Sequence, residues 1–210
     1  MRGFLLPVTE PRPPVARARA RENGGMRPIN LIVIHCSASP NTDALFRGKV
    51  GSAEFQNPAQ VIDSWHIARG FKRTDEWRKR QNPDLKAIGY HYVIDRSGLV
   101  LTGRHVDEIG AHAKGYNQKS IGICLVGLDQ FSPAQWSSLA HLVTAEIARI
   151  TGRNGPANRI NPLTPPAAIR LAGERGVAIH GHRELPEVHK DCPNFDVSTW
   201  LEKLMAAPAC

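Results

Sequence analysis

The chain has 210 residues, 41% of them hydrophobic, and a formal net charge of +8. That length suits one well-buried core with some loop or tail to spare. No apolar run approaches the roughly 18 residues of a membrane span, which excludes a helical membrane protein. The basic balance admits nucleic acid, an anionic membrane or another anionic polymer as partner without choosing among them.

Residues 1–25 carry five arginines and two glutamates. Four of the prolines fall before residue 28, there is no amphipathic period, and Asn23-Gly24-Gly25 closes the stretch. Residues 1–27 are therefore expected to be a disordered basic tail, and residues 28–210 one folded domain. The opening Met1 to Pro7 has only three consecutive apolar residues, Phe4 to Leu6. A secretory segment needs about 7–15, so synthesis in the cytoplasm without a signal peptide is expected. The four cysteines, Cys36, Cys124, Cys192 and Cys210, show no framework spacing. A metal or buried-thiol role is expected of them rather than disulfides.

Ile29 to Cys36 is a continuous apolar, β-branched run, which predicts a buried strand. Asn57-Pro58 reads as a cap and first helical residue, with Val61, Ile62, Trp65 and Ala68 on one face and Gly70 as the stop. Arg69 to Lys86 is charged and irregular and reads as an exposed loop. Tyr90 to Ile94 and Leu99 to Leu101 form a predicted hairpin about the turn Asp95-Arg96-Ser97-Gly98. Residues 103–120 read as loop, and Ile121 to Val126 as another buried strand. Ser132-Pro133-Ala134-Gln135 opens a long helix in which Gln135 returns a hydrogen bond to the cap. A Pro/Asn-rich loop follows over 153–165, then a short helix at Ala167 to Leu171 and a strand at Val177 to His180. Asp196 caps a last helix through Trp200 and Leu204. This order predicts a single α/β domain with a central mixed β-sheet flanked by helices.

Strand ends present side chains to a cleft from a rigid support. His35 ends the first strand, His182 follows the last, and Cys192 stands on the loop beyond it. Two imidazoles and a thiolate match the three protein ligands of a catalytic zinc site, which keeps a fourth position open for water. Any one of the nine histidines alone is more often a plain structural residue; the constellation carries the reading.

Several blocks then resemble the type-2 N-acetylmuramoyl-L-alanine amidases, a family that includes phage lysins and shares its fold with peptidoglycan-recognition proteins. They are Ile34 to Ser39, Gly89 to Tyr92, Gly110 to Asn117, Ser120 to Gly127, and Gly181 to Glu184 with Lys190 to Pro193. The blocks stand in the family's order over residues 29–202. Longer loops at about 41–88 and 151–176 depart from its pattern.

The resemblance implies that His35, His182 and Cys192 bind Zn2+, that Tyr90 and Lys190 are catalytic, and that His112 and Asn117 line the substrate groove. It implies hydrolysis of the amide between muramic acid and L-alanine in peptidoglycan. A phage or prophage endolysin is expected, a monomer released to the wall by a holin, with no specific nucleic-acid partner. A muropeptide-binding module without catalysis is the alternative. Glu184, two residues past His182, is a candidate acceptor for a ligand imidazole or an ordinary loop carboxylate. His91 is expected to be structural, and Cys36 to face away from His35 as a buried thiol. Trp65, Trp136 and Trp200 read as core, and Trp77 as the one aromatic open to sugar stacking.

Overall fold

The computed structural model describes residues 27–153 and 162–206. The expected tail up to Met26, most of the loop over 153–165, and Cys210 lie outside the described residues. β1 (Leu31–Cys36) is buried at every position, as its β-branched run requires. It lies between β4 (Ser120–Leu125) and β5 (Ala178–Gly181), parallel to both. β2 (Tyr92–Ile94) joins β4 in parallel and pairs antiparallel with β3 (Val100–Thr102). The five strands run in the order β3-β2-β4-β1-β5, a mixed sheet as expected.

Alternation divides the core between the two faces of this sheet. Ile32, Ile34, Ile121, Ile123 and Leu125 face α3 (Pro133–Ile150), α4 (Pro165–Glu174) and α5 (Val197–Ala206). Trp136 and Trp200 pack against this cluster. Val93, Cys124 and Val126 pack on the opposite side with Val61 and Ile62 of α1 (Pro58–Ala68).

Two helix starts follow directly from local chemistry. Asn57 Oδ1 accepts from Gln60 N at 3.1 Å, and Gln60 Oε1 accepts from Asn57 N at 2.9 Å. Ser132 and Gln135 make the same reciprocal pair at 3.1 and 3.0 Å. The Gln135 amide also donates to Val126 O at 2.9 Å, which ties α3 to the sheet beside the end of β4.

The segment expected to be an exposed loop over 69–86 is more ordered than its composition suggests. It contains α2 (Asp75–Arg80), capped by Thr74. Arg73 is buried and grips Glu108 through Nε at 3.0 Å and Nη2 at 2.8 Å. It also donates to Leu85 O at 2.9 Å and Gln81 O at 3.0 Å. Arg104 adds a second cation at 3.2 Å from Glu108. A buried guanidinium is tolerated here because its donors meet a carboxylate and backbone carbonyls.

Candidate metal centre

The parallel strands β1, β4 and β5 end on the same edge of the sheet, where ligands bind in open α/β folds. His35 is the fifth residue of β1, and His182 follows immediately after β5. Between His182 and Cys192 the chain leaves and returns. Glu184 fixes the departure by accepting from Gly181 N at 3.0 Å and from Val197 N at 2.8 Å. Arg183 N donates to Cys192 O at 2.7 Å and fixes the return. Glu184 thus holds backbone amides, and its nearest imidazole is His180, at 3.6 Å.

The ligand atoms of His35, His182 and Cys192 lie within 4.8 Å of one another. His35 Nδ1 is 3.7 Å from Cys192 Sγ. A tetrahedral zinc shell with ordinary bond lengths separates a nitrogen and a sulfur ligand by about 3.6 Å. The donor set therefore fits zinc in kind and in spacing. Cys36 N donates to Cys192 Sγ at 3.3 Å, the contact a thiolate ligand uses. No other group of His, Cys, Asp or Glu among the described residues offers such a cluster.

Electrostatics favour the neutral form of both imidazoles. Burial, and after it the charges of His182 and Lys190, push the His35 imidazole well below its ordinary pKa. His182 is lowered by burial and by Lys190. Both rings are thus neutral and able to ligate at neutral pH. The neighbouring Cys36 sulfur, and then burial, push the Cys192 thiol up when no metal is bound. A bound cation reverses that, since a coordinating thiol is deprotonated outright.

Tyr90 stands beside His35, with ring centroids 5.1 Å apart. Burial, then the sulfurs of Cys124, Cys192 and Cys36, hold its phenol well above the ordinary value, so it keeps its proton. The segment before Tyr90 hangs from α1. Asp63 accepts from Lys86 N at 3.0 Å and from Ala87 N and Ile88 N at 2.6 Å, and His66 Nδ1 accepts from Gly89 N at 2.9 Å. Sequence reasoning missed these two supports. An acid and a histidine at i and i+3 on the helix whose apolar face is buried were the available signal. Lys190 is exposed on the return loop, and its charge reaches both imidazoles.

The remaining candidates divide. His112 turns toward the metal site: its Nδ1 lies 3.0 Å from His35 Nε2. Asn117 Oδ1 accepts from His112 N and Ala113 N, both at 2.9 Å. His91 is structural, accepting from Gly122 N at 3.0 Å. Trp77 is stacked on His105 with centroids 5.7 Å apart and carries the Arg80 guanidinium at 4.8 Å, so its ring already has partners.

The mixed sheet thus carries on its strand-end edge a His-His-Cys cluster that could hold a metal ion, and comparison with known proteins shows the family. The chain belongs to the N-acetylmuramoyl-L-alanine amidase family, whose model matches residues 25–195. It is 33% identical over 182 residues to the endolysin of Escherichia phage T7, covering 83% of this chain and 86% of the phage protein. The endolysin of Enterobacteria phage T3 is 32% identical over 180 residues, covering 82% and 85%. Among solved structures, the amidase LysC from Clostridium intestinale shares the fold, with a TM-score of 0.53 and 22% identity over 85% of this chain and 86% of that one. Among the described residues no helix is long and apolar enough to cross a membrane.

Proposed function

We propose that this amidase is a zinc-dependent endolysin that cleaves the bond between N-acetylmuramic acid and L-alanine in bacterial peptidoglycan. The observation that carries the reading is the convergence of His35, His182 and Cys192 on one point at the strand-end edge, in a chain of this family. His35, His182 and Cys192 would hold the zinc, and two neutral imidazoles with one thiolate would leave it a formal charge of about +1. Zinc held there supplies Lewis acidity toward water and toward the scissile carbonyl oxygen.

The chain's own residues supply the rest. Lys190 stands near enough for its charge to lower both ligand imidazoles, and in this reading its ammonium stabilises negative charge developing on the lactyl carbonyl oxygen. The Tyr90 phenol, which stays protonated beside His35, is the residue this reading assigns to donate a proton to the departing amine nitrogen. Water adds across the amide, leaving the lactyl carboxylate on the sugar and a free L-alanine amine on the stem peptide. In this reading residues 28–210 are one catalytic domain, which acts as a monomer on the cell wall after release through a holin-type partner. The basic balance of the chain favours docking on an anionic wall.

Metal analysis of the purified protein tests the ligand set. Stoichiometric zinc is expected in the native chain, and none after Cys192→Ala, together with loss of activity. An active, zinc-loaded Cys192→Ala protein would overturn the assignment.

A further inference from the structure

His112 is half-buried beside the cluster of His35, His182 and Cys192, and the chemistry proposed above does not use it. The His35 ring stands between two partners. Its Nδ1 faces Cys192 Sγ at 3.7 Å, and its Nε2 lies 3.0 Å from His112 Nδ1. The two imidazoles meet nearly edge on, at 84° with centroids 5.1 Å apart. On the far side, His112 Nε2 is 3.4 Å from Ser120 Oγ, and the Ser120 hydroxyl donates to Tyr116 O at 2.8 Å.

The direction of this chain follows from its last member. A carbonyl oxygen only accepts, so the single hydroxyl proton of Ser120 is committed to Tyr116 O. Ser120 Oγ is left to accept from His112 Nε2–H. A neutral imidazole carries one proton, so His112 Nδ1 is an acceptor and takes the hydrogen bond from His35 Nε2–H. The lone pair of His35 is thereby placed on Nδ1, the atom that faces Cys192.

Two glycines make room for this arrangement. A Cβ on Gly122 of β4 would meet His112 Cγ at 2.5 Å, and one on Gly110 would meet His112 Cδ2 at 2.5 Å. The backbone of the same turn is fixed by Asn117 and by Arg27, whose guanidinium donates to Asn117 O at 3.2 Å and Ser120 O at 2.7 Å. The His112 ring thus packs closely against Gly110 and Gly122 and has Ser120 at its far nitrogen.

We infer that His112 is a positioning residue: it selects the Nε2–H tautomer of His35 and holds the ring so that Nδ1 is the metal ligand. The inference rests on the zinc reading above. Partners that fix a ligand imidazole contribute about 10–100-fold in metal affinity.

The test compares wild type, His112→Phe and His112→Asn. Asparagine can present an acceptor oxygen near the position of Nδ1; phenylalanine keeps the bulk without an acceptor. Zinc affinity is read by chelator competition, and the His35 tautomer by long-range proton–nitrogen NMR of the metal-free protein. The expected result is Nε2–H at His35 in wild type. His112→Phe should show a mixed tautomer and zinc affinity lower by about 10–100-fold. His112→Asn should recover most of the affinity. Wild-type zinc binding with an unchanged tautomer and affinity in His112→Phe would overturn this inference alone. A wild type that binds no zinc would take down the zinc reading as well. Should His112→Phe not fold, the tautomer in wild type and the affinity of His112→Asn still decide: Nδ1–H at His35, or no recovery in a folded asparagine variant, overturns the inference.

Discussion

Lys190 acts on the site before substrate arrives. After burial, its charge helps keep His182 below the ordinary imidazole value, and it acts on His35 in the same sense behind burial and His182. Protons compete with metal for these rings, so lowering their pKa extends zinc retention to more acidic pH. Lys190→Ala should therefore do two things. Turnover should fall by about 10²–10³-fold if the ammonium serves as an oxyanion donor. Zinc release on acidification, followed with a metal indicator, should begin at higher pH, because removing a cation raises the pKa of both rings. Unchanged turnover would remove Lys190 from the mechanism. Of the site at this scale, His35, His182 and Cys192 were legible because strand ends and ligand chemistry are both local signals. The part played by His112 was not. Its partner is 77 residues away, and only the fold brings His112 Nδ1 to 3.0 Å from His35 Nε2.

Among the elements, α1 does more than cover one face of the sheet. Through Asp63 and His66 it holds the segment that delivers Tyr90. His66 must be neutral to accept from Gly89 N. Burial, then the charge of Arg69, lowers its pKa from 6.5 to about 4. A histidine with a lowered folded-state value contributes stability that is fully present above the unfolded value of about 6.5 and lost as pH falls through about 4. Denaturant unfolding of the zinc-free protein should show this loss. His66→Asn, which offers an acceptor that does not titrate, should lose less stability than wild type between those limits. Parallel pH profiles would contradict the role given to His66. The caps of α1 and α3 were readable in advance because their partners are three residues apart. The Arg73 and Glu108 pair was not, its partners standing 35 positions apart in the sequence. A charged stretch reads as solvated until the carboxylate and carbonyls that receive it are known, and α2 went unpredicted with it.

At the scale of the whole molecule, the parallel strands bring residues from distant parts of the chain to one edge, and the sheet supplies the rigidity. The chain's described contacts begin at Arg27, which donates to Val106 O at 2.8 Å and Ser120 O at 2.7 Å and so closes the turn behind His112. Removing residues 1–25 should leave the thermal midpoint and zinc content unchanged, whereas Arg27→Ala should lower the midpoint measurably. A truncation that abolishes cooperative unfolding would show that the basic segment belongs to the core. The mixed sheet was legible as a pattern of buried runs, but its strand order was not, since register and neighbours are set by packing across the whole chain. Mass spectrometry of purified peptidoglycan digested with and without a zinc chelator tests the central claim most directly. The account predicts stem peptides with a free L-alanine amine, lost on chelation and restored by zinc. Intact peptidoglycan after treatment with folded, zinc-loaded protein would contradict it and favour a muropeptide-binding module. Cleavage within the stem peptide would contradict it in favour of a peptidase.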